Sequence, residues 1–266
     1  MNKIYACYPG GKHKALTLSY DDGRTQDRRL VEIMNHYGIR GTFHLNSGRM
    51  QDENRIHPKE AASLYQGHEI AIHTVTHPTI ARCPLPAVAQ EVIDDRKALE
   101  DITGAPVRGM SYPNGSVSKE IEQLLPGCGI RYSRITGSSE KFTLPENPYR
   151  WFPTCHHNNR LLELGEEFLA LFKKQYLYLM YVWGHSYEFD DRDNWDLIGS
   201  FCRMMGGKED IWYCTNIEFM DWVDDNARLQ YTADNSAVYN PNARDCWISV
   251  NDEPAIRIPG GKTVRL

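Results

Sequence analysis

From its first residues to about position 226 the chain alternates short β-rich runs with longer stretches of helical spacing. That alternation restricts it to α/β folds with a largely parallel sheet, because parallel strands need a crossover that a helix supplies. Strands are expected at Ala15 to Tyr20, Thr42 to Leu45, Glu69 to His73, Val107 to Tyr112, Ile130 to Ile135, Trp151 to Cys155, Tyr176 to Trp183 and Asp210 to Thr215. Helices are expected at Gln26 to Tyr37, Pro58 to Gln66, Pro86 to Asp101, Lys119 to Leu125, Leu162 to Lys174, Trp195 to Met205 and Ile217 to Ala227. They carry apolar residues three or four apart, as in Leu30, Val31 and Met34, or Val88, Val92 and Leu99. Eight strands is the number of a (β/α) barrel, although a doubly wound open sheet satisfies the same alternation.

After Asn226 the texture changes. Trp247 to Val250 and Ala255 to Ile258 flank Asn251-Asp252-Glu253-Pro254, which reads as a hairpin. The expected organisation is a main unit over 1–228 and a small β appendage over 229–266, which either caps a sheet edge or barrel end or serves as a binding module. The length, 266 residues with 41% hydrophobic content, supports one large core.

The formal net charge is -5, and no window concentrates Lys or Arg, so the chain lacks the field that holds a phosphate backbone. Arg24, Arg28 and Arg29 form at most a local basic patch. No run approaches the roughly 18 apolar residues of a membrane span. Neither nucleic acid nor membrane is therefore expected as a partner. The N-terminus shows no apolar targeting segment, and the 7 cysteines form an odd set without a Cys-x-x-Cys pair. Both features favour reduced thiols and a cytoplasmic location.

Chemistry-bearing residues gather at three strand ends. Ser19-Tyr20-Asp21-Asp22-Gly23 closes the first strand with two carboxylates, which converge only if the chain turns at Gly23. One can ligate a metal while the other moves protons; a turn or helix cap is the simpler reading of the same residues. His73-Thr74-Val75-Thr76-His77 follows the apolar run Ile70 to Ile72. If the segment turns helically, its two imidazoles share a face, as a borderline metal requires. Trp183-Gly184-His185-Ser186 closes the most apolar strand and offers a histidine suited to general acid work.

Taken together, in this order, these motifs resemble the polysaccharide deacetylase family, relatives of chitin, peptidoglycan and chitooligosaccharide deacetylases. Ser19 to Gly23 matches its Thr-Phe-Asp-Asp-Gly motif, His73 to His77 its His-Ser/Thr-x-x-His motif, and Val182 to His185 its late Leu-x-x-His motif. The resemblance implies a distorted (β/α) barrel and a hydrolase that removes N- or O-linked acetyl groups from an acetylated saccharide. It further implies that Asp22, His73 and His77 hold a divalent metal, that Asp21 is the catalytic base and that His185 protonates the leaving group. Zinc is the expected ion, with Co, Ni, Mn and Fe also suited to such a set. A backbone N–H of the loop at Tyr112 would help stabilise the oxyanion, and Tyr112, Pro113, Asn114 and Trp183 would contact substrate.

The chain departs from the family at Met110 to Gly115, where Ser111 stands in place of the arginine that braces the catalytic aspartate. Whether Arg108 takes that part is left open. No aspartate and tryptophan motif supporting the catalytic histidine precedes His185; Asp191, Asp193 and Trp195 follow it. His156 and His157 are expected in a polar loop or rim, and His44 in the core or a pocket wall. Trp183, Tyr112, Tyr187 and Trp151 either stack on sugar rings or pack inside. Two other readings stay open: hydrolysis of a small amide or ureide on the same fold, and a non-catalytic carbohydrate-binding protein. Oligomeric state is not legible.

Overall fold

A computed structural model describes residues 2–266. Its strands are β1 (Ile4–Cys7), β2 (Lys14–Asp21), β3 (Gly41–Leu45), β4 (Glu69–Ile72), β5 (Gly109–Ser111), β6 (Tyr132–Arg134), β7 (Cys155–His156), β8 (Tyr178–Gly184), β9 (Ile211–Tyr213), β10 (Gln230–Tyr231), β11 (Ala237–Tyr239), β12 (Cys246–Val250), β13 (Ile256–Ile258) and β14 (Thr263–Arg265). The α-helices are α1 (Asp27–His36), α2 (Pro58–Leu64), α3 (Leu85–Thr103), α4 (Lys119–Leu124), α5 (Leu161–Ala170), α6 (Glu188–Asp191), α7 (Trp195–Met205) and α8 (Asn216–Ala227). All seven expected helices are present, and α7 has the expected bounds. The expected helix over Leu162 to Lys174 stops at Ala170, where Leu171 turns extended.

Strand β2 is buried at every residue and forms the centre of a parallel sheet ordered β6-β5-β4-β3-β2-β8-β7. One flank of β2 pairs with β8 from Lys14 to Tyr20. The other is shared: β9 pairs with Lys14 to Leu16, and β3 takes over from Leu18 to Asp21. The sheet curls until its edges approach. There Trp151 bridges Arg134, while the same segment runs on into β7 beside β8. Thus the strand expected at Trp151 to Cys155 joins the two edges, but regular pairing covers only Cys155 and His156, with Pro153 unable to donate to a ladder. The result is the expected α/β class with a distorted (β/α) barrel.

Strand periodicity decides what the barrel encloses. On β2, Leu16, Leu18 and Tyr20 pack outward into the main core beneath the helices, with Leu30, Val31 and Met34 of α1. Ala15 packs instead with Tyr132, Trp151, Leu179, Tyr181 and Phe219, which fill the lower lumen. Thr17, Ser19 and Asp21 share its parity, and Thr17 bonds Asn216 at the start of α8. The capping box of Thr215 and Glu218 holds that helix start beneath the strands.

The expected hairpin appears as β12 and β13. The region is larger than one hairpin: β10, β11 and β14 form a second small sheet, and β1 from the chain start pairs along β12. None of the described cysteines is paired, and no described helix is long and apolar enough to cross a membrane.

Candidate active site

Asp21 is the last residue of β2 and is 2% exposed. Its carboxylate faces the upper lumen, where β3, β5 and β6 deliver their inward residues. Ser111 Oγ donates to Oδ1 at 2.9 Å, His44 Nδ1 lies 3.4 Å from the same oxygen, and the Arg134 guanidinium contacts both carboxylate oxygens. Burial alone would raise the pKa of Asp21. The charge of Arg134, then those of His73, His44 and His185, outweigh burial and hold it well below the usual carboxylate range.

Arg134 answers the question raised by Ser111. Arg108 points elsewhere and forms a bidentate pair with Asp221 at 2.9 Å. The brace comes from the neighbouring strand, where Arg134 also donates to Ser19 Oγ and lies 4.5 Å from the Trp183 ring centre. Ser111 is small enough to admit it, and its hydroxyl contacts both Asp21 and His73 Nδ1. Nothing in the motif spacing marks Arg134, yet the parity of β6, set by lumen-facing Tyr132, aims it inward.

At Asp22 the chain leaves the sheet with φ 83, followed by Gly23 at φ 59. A left-handed aspartate is uncommon but tolerated, and the turn brings the second carboxylate toward the site. Arg55, itself buried, donates to the Asp22 carbonyl oxygen and lies 3.4 Å from Oδ1. His73 and His77 meet without the expected helical turn. Thr74 at φ 65 and His77 at φ 61 fold the segment back, and the rings lie 4.7 Å apart edge to face. Such left-handed residues concentrate where geometry is imposed by surroundings. Here Asn46 Nδ2 donates to the carbonyl groups of His73 and Thr74, and Asp95 of α3 accepts from the His73 and Ser47 amides at 3.0 and 2.8 Å.

One nitrogen or oxygen from each of Asp22, His73 and His77 lies within 4.8 Å of the others. The carbonyl oxygen of Ser111 sits 2.9 Å from His73 Nδ1. A carbonyl only accepts, so the ring proton belongs on Nδ1 and Nε2 is left with its lone pair facing the set. Asp22 Oδ1 is buried without a hydrogen-bond partner. A carboxylate oxygen that accepts no hydrogen bond, with the Arg55 guanidinium at 3.4 Å and two imidazoles beside it, is the donor chemistry of a borderline divalent ion.

His185 follows β8 on the same edge. Its Nδ1 lies 3.0 Å from Glu188 Oε1. Burial would depress the imidazole, but the bond to Glu188 and the charges of Asp21 and Asp22 raise it above its ordinary value. Glu188, unremarked in the motifs, stands one helical turn after His185 and takes the supporting part left vacant upstream. Its other oxygen, Oε2, meets His156 Nε2 at 3.0 Å and His157 Nε2 at 2.9 Å. The two histidines therefore belong to the site's lining, and His157 is fully buried, contrary to the expected polar rim.

The residues expected to touch substrate divide. The Tyr112 N–H donates to the Arg134 carbonyl at 3.0 Å, so an oxyanion donor from that loop would have to be a later amide. The Tyr112 side chain is buried and bonds the Tyr149 carbonyl. Pro113 is buried, Asn114 is exposed, and Trp183 is buried apart from 7% of its surface, its indole donating to Gly137. Trp151 is core; Tyr187 is half-buried beside Arg24. A cavity of about 970 Å³ lies at the opposite end of the strands, around Lys14, Tyr178 and Asp210.

Residues 9–133 match the family described as polysaccharide deacetylase. Among characterised proteins, the chain is 24% identical over 114 residues to the peptidoglycan-N-acetylglucosamine deacetylase PgdA of Listeria monocytogenes, covering 42% of this chain and 24% of that one. It is 26% identical over 116 residues to the chitooligosaccharide deacetylase of Sinorhizobium fredii, covering 42% and 53%. The matched segment thus spans about half or less of these relatives. Among solved structures, one from Mycobacterium smegmatis classed as a polysaccharide deacetylase superposes with a TM-score of 0.63 at 15% identity, covering 83% of this chain and 93% of that one. Puue allantoinase superposes at 0.61 with 14% identity, covering 80% and 91%. Peptidoglycan deacetylase PdaC from Bacillus subtilis does so at 0.55 with 13% identity, covering 82% and 94%. The resemblance carried by the motifs is borne out, and the barrel is shared over most of the chain.

Proposed function

We propose that this chain, a protein of polysaccharide deacetylase type, is a metal-dependent hydrolase that removes acetyl groups from a saccharide. The observation that carries the reading is the convergence at one strand edge of an ionised, buried Asp21, the Asp22–His73–His77 donor set and a carboxylate-held His185. Asp22, His73 and His77 would hold the ion, with zinc the first choice. A divalent ion there supplies Lewis acidity to an acyl carbonyl and acidifies a nucleophilic water.

Asp21 takes the proton of the attacking water. Arg134 keeps it ionised, and Ser111 Oγ, which also meets His73 Nδ1, fixes its Oδ1. His185 carries the opposite charge of the pair: its Nδ1 is held by Glu188, so Nε2 is the atom that delivers a proton to the departing sugar nitrogen or oxygen. Acetate and the free amine or hydroxyl result, and proton exchange with solvent resets both groups. A cytoplasmic location belongs to the same reading, supported by seven unpaired thiols.

The test is acetate release from chitooligosaccharides, acetylated xylan fragments and aryl acetates, with metal content measured on the same preparations. Wild type should release acetate, Asp21→Asn should keep the metal and lose turnover, and His77→Ala should lose turnover together with the ion of the Asp22 set. Because Puue allantoinase shares the fold, small amides and ureides belong in the panel. Full metal with turnover of those alone would replace the saccharide reading, and metal-free protein would end the catalytic one.

A further inference from the structure

The carboxylate that holds His185 is itself enclosed by two more imidazoles. Donor atoms of His156, His157 and Glu188 all lie within 4.8 Å of one another, the same closeness as the Asp22 set. We propose that they form a second divalent-metal site, of the borderline class that takes two imidazoles and a carboxylate, beside the catalytic histidine. This inference goes beyond the proposed reaction and does not depend on its substrate.

His157 carries the argument. Its side chain is fully buried, and although Nε2 is 2.9 Å from Glu188 Oε2, neither ring nitrogen makes a hydrogen bond of acceptable geometry. A buried imidazole left so is costly, and a metal bond to Nε2 removes that cost at the nitrogen facing Glu188. The ring has no freedom to search for another partner. It stacks on Phe189 at 4.2 Å and Tyr20 at 5.7 Å, and its Nδ1 side presses on Gly184, where any Cβ would come within 2.2 Å. His156 is pinned edge-on against Trp183 at 4.7 Å. Both rings are thus fixed before an ion arrives, which lowers the ordering cost of binding.

Glu188 divides its oxygens: Oε1 stays with His185, and Oε2 faces the two other imidazoles. A carboxylate that links an imidazole to a metal fixes the orientation of that imidazole. The Asn158 amide donates to His156 Nδ1 at 3.2 Å, which places that ring's proton on Nε2; a bound ion would displace that proton. Three protein ligands leave a position for water.

The experiment titrates chelator-stripped protein with zinc, counting bound ions by calorimetry and elemental analysis. Wild type should take two equivalents. His77→Ala, which breaks the Asp22 set, should still take one, and adding His156→Ala should abolish that one, with circular dichroism unchanged. His156→Gln provides a second variant that keeps the bulk and lacks the imidazole. Cobalt added to His77→Ala should give the visible absorption of a four-coordinate ion. A single equivalent in wild type that survives His156→Ala, or none in His77→Ala, would overturn the site. Because binding is counted in His77→Ala, failure of the deacetylase reading leaves this outcome separately readable.

Discussion

The guanidinium of Arg134, on β6, lies against both carboxylate oxygens of Asp21 at the end of β2, and both side chains are buried. Breaking a buried pair from one side leaves an uncompensated charge, at a cost of about 3–5 kcal/mol. Arg134→Ala should therefore destabilise the fold by that order in urea unfolding. In an Asp21→Asn background the same change should cost much less, because no buried charge is orphaned. Equal costs in the two backgrounds would show that Arg134 serves Ser19 and Trp183 rather than Asp21.

Glu188 sets the alkaline side of the activity profile. Glu188 faces three imidazoles, which outweigh its burial and hold it well below the usual carboxylate range, so it remains charged and raises His185. A general acid works only while protonated, so activity should fall as pH rises through the raised His185 value. Asp21 is depressed and stays ionised far into acid, so it should add no acid limb near neutrality. Glu188→Gln keeps an acceptor and removes the charge. It should move the alkaline limb of kcat/KM to lower pH and reduce kcat by about 10²-fold, the low end of acid–base contributions. A profile that keeps its alkaline limb would assign that limb to another group.

How far the site can be read from the chain depends on whether a residue acts through its own motif or through strand parity and tertiary contact. Asp21 ends β2, and Asp22, His73 and His185 each directly follow a strand, so motif position brings them to one edge, whereas His77 reaches it through the turn after β4. Arg134 was hidden because its partner is 113 residues away and its own strand is only three residues long. Glu188 sits one turn beyond His185, whereas the family's supporting motif precedes that histidine. His157 looked like half of a polar pair, since nothing in the sequence reveals that Phe189 and Tyr20 enclose it. The left-handed turn at Thr74 replaced an expected helical one because Asn46, from another strand's loop, takes the carbonyls that a helix would have used. The strand at Trp151 is irregular because it links two sheet edges.

Asp27, in the first turn of α1, is fully buried and accepts from Tyr65 at 2.6 Å and from Ser186. Burial outweighs those bonds and pushes its carboxyl up to about 7. Between the unfolded value and about 7 the native state holds a proton that the unfolded chain has lost, so this group makes stability fall as pH rises through that window. Asp27→Asn removes the ionisation. Its stability relative to wild type should therefore increase from pH 4 to pH 8, by a few kcal/mol at the upper end. Urea unfolding at several pH values checks the trend, and a constant difference would mean that Asp27 ionises in the fold as it does in the unfolded chain.

Asp95 ties helix α3 to the metal-ligand loops. Its two oxygens accept the backbone N–H groups of His73 and Ser47, so one side chain fixes where β4 ends and how the segment after β3 lies beside it. Asp95→Ala leaves the part-buried Ser47 amide unpaired and the His73 amide with only the Leu45 carbonyl at 2.8 Å, at a cost of about 1–3 kcal/mol. Asp95→Asn keeps one acceptor oxygen and must turn its amide nitrogen toward one of the two donors. If the reading of Asp22, His73 and His77 is right, zinc affinity at that set should drop by about 10–100-fold in Asp95→Ala, as for other groups that orient a ligand. Asp95→Asn should fall between Ala and wild type. The decisive comparison is affinity against thermal stability across the two variants, with His156→Ala in the background so that only the Asp22 set is counted. Affinity that declines while Asp95→Asn keeps most of its stability would place the effect on His73. Stability lost with affinity intact would mean that Asn46 and Ser111 hold that histidine without the helix.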